Sequence, residues 1–139
     1  MSIATILLPV FVQVALTFAL LISTGRSRSQ ALKAREIEIA DIALGQAAWP
    51  TRPTQFGRAY QNQFETPILF YVLVGLALIT HQADLLFVVL SWAFVAARLV
   101  HAGVHVTSNH VQKRFVAFIV AMSILLTMWI IFAVRILSA

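Results

Sequence analysis

Residues Ile3 to Thr24 form an apolar run of 22, enough to cross a hydrocarbon core of roughly 30 Å at about 1.5 Å per residue. Three later segments, about 54–80, 85–107 and 115–137, share that character, and from Pro67 to Ile79 no side chain carries a charge. Backbone N–H and C=O groups cannot be left unpaired in lipid, so each run is expected as a transmembrane helix. The expected fold is therefore all-α: an integral membrane four-helix bundle in one domain, residues 1–139, with helices at about 3–24, 54–80, 85–107 and 115–137. A hydrophobic share of 60%, against about 45–50% in soluble domains, excludes a soluble enzyme.

The first run also invites a signal-peptide reading. Such a peptide wants a basic start, but Met1 to Gln13 contain no Lys or Arg, and Arg26, Arg28, Lys33 and Arg35 come afterwards. A spanning helix with its N-terminus outside fits better. Gln13 and Thr17, one turn apart, are expected to face other helices rather than lipid. The net charge of +5 does not point to nucleic acid, because the basic residues border apolar segments instead of covering one soluble face. Eight of the ten Lys and Arg residues (Arg26, Arg28, Lys33, Arg35, Arg52, Arg58, Lys113 and Arg114) lie at the two connections on one side. That side is expected to be cytoplasmic, with both termini on the other.

The connection Gly25 to Gly57 is the long one and ends in Trp49-Pro50-Thr51-Arg52-Pro53. It reads as an interfacial connector with Trp49 at headgroup depth, or as the floor of an anion site with Arg28 as a contact. Pro67 inside the second helix predicts a kink beside Glu65. The short link His81-Gln82-Ala83-Asp84 makes the second and third helices adjacent and antiparallel.

Ionisable groups at membrane depth mark functional sites by default. Arg58, Asn62 and Glu65 recur at i, i+4 and i+7 on one helix, and Arg98, His101 and His105 share one face of the next. Reflection about the 81–84 link puts Glu65 and Arg98 within roughly 3 Å of the same depth, so the two can meet. Three readings follow. The cluster could be structural, a buried ion pair fixing helix register. It could bind metal through His101 and His105 with Glu65, a weak reading that the surrounding arginines oppose. Or it could hold an anionic ligand on Arg28, Arg58, Arg98 and Arg114, with Glu65 and Asn62 recognising an amine or amide, which the excess of arginine over acid favours. The chain has no cysteine, so any thiol must come from a ligand.

The stretch Arg58-x-x-x-Asn62-x-x-Glu65-x-Pro67, together with Ala97-Arg98-x-x-His101 and the basic start of the fourth helix, resembles the MAPEG family, membrane-associated proteins in eicosanoid and glutathione metabolism. The chain looks like a bacterial-type member, similar to microsomal glutathione transferases and prostaglandin E synthase. Gln61, His105 and Phe118 depart from the eukaryotic pattern. The resemblance implies a homotrimer in a bacterial inner membrane, binding glutathione between subunits at the cytoplasmic end and acting on a lipophilic small molecule that arrives from the bilayer. It implies glutathione contacts from Arg28, Arg58, Asn62, Glu65, His101 and His105. Arg114 is implied as the thiolate stabiliser, with Arg98 second, and no metal is implied.

Overall fold

The computed structural model describes residues 1–43, 45 and 49–138; positions 44 and 46–48 of the long connection lie outside them. The described residues are helical and contain no strand. Four helical stretches are long and apolar enough to span a membrane. The first is α1, Ile3–Lys33, and a short α2, Ile39–Ile42, follows it. The second stretch is interrupted: α3, Thr51–Gln61, leads through a 3-10 turn, Asn62–Phe64, into α4, Thr66–Ile79. Then come α5, Leu85–Val106, and α6, Val111–Leu137.

The helix ends differ from the apolar boundaries for local reasons. α1 runs on past Thr24 to Lys33 because the segment from Arg26 is made of residues that a helix tolerates, with no Pro and no β-branched run. It stops where Arg35 enters the left-handed region (φ 55°) and Glu36 N–H donates back to Ala31 O at 3.0 Å. The same closure ends α4, with His81 at φ 56° and Gln82 N–H on Ala77 O at 2.9 Å. Asp84 then starts α5 by accepting from Phe87 N–H at 2.9 Å. α6 begins at Val111, one turn before the continuous apolar run that starts at Phe115, with His110 as its N-cap.

Pro67 does more than kink the second span. In a continuous helix its ring would oppose the carbonyl of Gln63; the chain instead tightens into the 3-10 turn, leaves helical geometry at Glu65 (φ −94°, ψ −102°), and restarts with Pro67 in the first turn of α4.

The core lies between α4, α5 and α6, with Ile6 of α1 joining it. Ala121 of α6 is fully buried and Ala117 nearly so, and such small side chains let membrane helices approach closely. α4 meets α5 through large rings, Phe70 against Phe94 at 4.7 Å. A separate polar contact ties α1 to the 3-10 turn: Gln13 Nε2 donates to Gln63 Oε1 at 2.8 Å, both side chains buried. Gln13 thus faces protein, as its sequence context predicts. At the end of the bundle that holds the 81–84 link, Arg135 Nη2 donates to Asp84 Oδ2 at 2.7 Å. This contact, with the Phe87 N–H behind it, holds the Asp84 carboxyl below its usual range.

Candidate functional site

The opposite end of the bundle gathers the arginines. There α3 lies against the last turn of α5, whose final carbonyls have no partner inside their own helix. Arg52 Nη1 donates to Val106 O at 2.6 Å, and Gln55 Nε2 donates to His105 O at 2.7 Å and Thr107 O at 3.2 Å. These three bonds hold Arg58, one turn further along α3, next to His105. The sequence reading had not singled out Gln55; its signal was its place three residues before Arg58 on the same helical stripe.

A cavity of about 300 Å³ opens at this junction, lined by Trp49, Gln55, Arg58, His105, Asn109 and Arg114 among others. Arg114 Nη1 donates to Asn109 Oδ1 at 2.6 Å, which fixes the guanidinium at the start of α6. Asn109 was also missed in the sequence; it sits in the α5–α6 link at φ 49°, a conformation that asparagine adopts readily. Arg28 stands behind the cavity wall, its guanidinium 4.9 Å from the ring centroid of Trp49. Its Nη2 would lie 3.3 Å from a Cβ on Gly57, so α1 and α3 meet at that point with little space to spare.

Two helical turns deeper along α5 than His105, Arg98 is fully buried. Its Nη2 donates to Asn62 Oδ1 at 2.7 Å and to Asn62 O at 3.2 Å, and Asn62 Nδ2 donates to Glu65 Oε2 at 2.9 Å. The Glu65–Arg98 ion pair of the structural reading is absent among the described residues, where the side-chain ion pair is Asp84–Arg135. The physical reason is the helix break. Glu65 leaves the helical stripe there and is solvent- or lipid-exposed, so the amide of Asn62 stands between acid and guanidinium.

His101 lies on α5 between the cavity and Arg98, its ring 5.9 Å from that of His105 at the cavity and 5.9 Å from that of Phe118 on α6. Among the described residues, Arg98 Nε and Nη1, Arg28 Nε and Nδ1 of both histidines are buried without a hydrogen-bond partner in the chain. No three His, Asp or Glu side chains converge as metal ligands among the described residues. The eight residues named from sequence therefore sort into a cavity group (Arg58, His105, Arg114), a hydrogen-bonded relay (Arg98, Asn62, Glu65), His101 between them, and Arg28 behind Trp49.

A family model described as the MAPEG family matches residues 6–134. The chain belongs to the MAPEG family. No curated protein and no solved structure matches it. The MAPEG family includes glutathione-dependent transferases and non-catalytic members. For this MAPEG chain the matched span takes in the second and third of the four stretches whole, all but the outer ends of the first and fourth, and every residue of the cavity group and the relay.

Proposed function

We propose that this protein is a membrane-bound glutathione-dependent transferase or peroxidase acting on lipophilic electrophiles. The observation that carries the reading is the convergence of Arg58, His105 and Arg114 on one cavity. Its volume is at the lower end of the range usual for small-molecule sites, about 300–1,000 Å³. The donor set suits glutathione, which brings two carboxylates, an amine and a thiol. Arg58 and Arg114 line the cavity, Arg28 stands behind its Trp49 wall, and the His105 ring nitrogen Nδ1 is buried there without a partner. Such an orphan costs about 1–3 kcal/mol, which a ligand that hydrogen-bonds to it would relieve.

Bound glutathione supplies the nucleophile as its thiolate. Arg114, held by Asn109 at the cavity wall, stabilises that negative charge, since a nearby guanidinium pulls a thiol below its ordinary value of about 8.5. Arg58 and Arg28 receive carboxylates, and Glu65 with Asn62 recognises the amine. Arg98 does not line the cavity and acts as a positioning residue through Asn62. The protein assembles as a homotrimer, each subunit completing its neighbour's site. It lies in a bacterial inner membrane with the arginine-rich end in the cytoplasm, in keeping with the basic residues gathered there.

A non-catalytic reading draws support from the relay, since a buried Arg98 fastened to the helix break fixes the register of α5 against α3 without any ligand. Glutathione titration separates the two. Thiolate ultraviolet absorbance and thermal stability are followed in wild type, Arg114→Ala and Glu65→Ala. The transferase reading expects a saturable thiolate signal that Arg114→Ala abolishes while assembly stays intact. No signal and no stabilisation in an assembled protein would leave the structural role.

A further inference from the structure

A groove of about 620 Å³ runs between α5 and α6 and shares no lining residue with the arginine cavity. Its floor is Ala97 and Ala117, whose single methyl groups leave the trough open. Its walls are Val100, Val116 and Val120, at 58%, 60% and 47% exposure. Lys113 stands at one end, and among the described residues no acidic side chain lines it. From Lys113 to Val120 the groove follows two turns of α6, about 10 Å along its axis.

Exposed valines alone describe any lipid-facing helix. On the outer face of α1, for instance, Phe11, Phe18 and Ile22 project as a ridge. The α5–α6 face has the opposite shape, a hollow, and it carries a cation where the apolar lining ends. Lys113 is a compact charge with three donors on a flexible stem, able to place its ammonium at headgroup depth while its methylenes stay against the groove.

We infer that this groove binds an anionic phospholipid, with one acyl chain between α5 and α6 and the phosphate on the Lys113 ammonium. A net negative headgroup is selected because, among the described residues, the formal charge in the lining is the positive one of Lys113. Zwitterionic lipid offers the same chain but brings its own cation to Lys113. The inference does not rest on glutathione binding, and Lys113 is outside the proposed catalytic set.

The test is native mass spectrometry of the detergent-purified protein titrated with dioleoyl-phosphatidylglycerol or dioleoyl-phosphatidylcholine, reading the apparent Kd of the first lipid bound per chain. Wild type should prefer phosphatidylglycerol. Lys113→Gln should weaken that lipid about fivefold, the effect of one basic residue near an anionic headgroup, and leave phosphatidylcholine unchanged; Lys113→Arg should restore the preference. Ala97→Leu, which fills the floor, should weaken both lipids, and Val116→Trp at the exposed wall tests filling without touching the floor. Unchanged phosphatidylglycerol binding in Lys113→Gln, or in both groove-filling variants, overturns the inference. A change of oligomer mass in the filling variants with no lipid bound would assign the groove to a second copy of the chain and overturn it equally.

Discussion

Arg98 donates to Asn62 twice, at 2.7 Å to the side-chain oxygen and 3.2 Å to the backbone carbonyl, and so ties the middle of α5 to the 3-10 turn between α3 and α4. The partner of the buried guanidinium is an amide, and the carboxylate three residues on is reached only through that amide.

Asn62→Ala should therefore be the costly change at this position. It removes the side-chain acceptor from a buried charged donor, a loss of about 2–3 kcal/mol. Glu65→Gln, at an exposed residue that still accepts from Asn62, should cost well under 1 kcal/mol. Thermal unfolding of the two variants in one detergent decides the matter, and equal losses would mean that the charge of Glu65, not the amide, holds Arg98.

The buried Gln13–Gln63 pair predicts a non-additive result. Gln13→Leu leaves Gln63 Oε1 without its donor, and Gln63→Leu leaves Gln13 Nε2 without its acceptor. Each should cost about 1–2 kcal/mol. The double variant should cost less than the sum, with a coupling of about 0.6 kcal/mol, the usual size of interhelical hydrogen bonds in membranes. A double-mutant cycle on denaturation midpoints would return zero coupling if the two amides were independent.

How much of this was legible beforehand depends on which interaction set each position. The four spans could be read because hydrophobicity over some twenty residues has one outcome in lipid. The stripe Arg58, Asn62, Glu65 could be read as far as its helix lasts, and Pro67 announced a disturbance. What helical spacing could not show was that the disturbance ends the helix. Glu65 consequently leaves the stripe, and Asn62 takes its place as Arg98's partner. Gln63, inside a polar stretch, carries no sequence sign that it is buried against α1. The capping contacts of Arg52 and Gln55 depend on where α5 stops, which is a tertiary matter.

Asp84 gives a pH dependence at the other end of the molecule. Its carboxyl is held below the ordinary value of about 3.9, first by Arg135 and then by the Phe87 N–H. The stability it contributes is therefore complete above about pH 4–5 and is lost as pH falls through the depressed folded value. Asp84→Asn keeps a capping side chain, so it should be less stable than wild type at neutral pH, and the two should converge once pH has fallen through the depressed folded value. The side chain is 48% exposed, so the gap at neutral pH should be small. Melting temperatures across that range provide the check, and a constant gap would contradict the linkage.

Two glycines should respond oppositely to alanine. Gly25 lies within α1 with nothing in reach of an added Cβ, so Gly25→Ala should stabilise by about 0.5–1 kcal/mol through helix propensity. At Gly57 the Cβ would press on Arg28 Nη2. Gly57→Ala should shift the guanidinium off Trp49 and weaken glutathione binding in the manner of Arg28→Ala, with little loss of fold. Glutathione affinity unchanged by Gly57→Ala but lost in Arg28→Ala would show that Arg28 tolerates the crowding.

The length of α1 bears on this last point. Its 31 residues make a rod of about 46 Å, half as long again as the hydrocarbon it crosses. Arg28 is therefore mounted on a continuation of the transmembrane helix and not on a connector. Ordering a loop residue takes roughly 1–2 kcal/mol of backbone entropy each time a ligand binds. Here that ordering happens once, when the protein folds, so in the proposed site the backbone that carries Arg28 would already be set before an anion arrives.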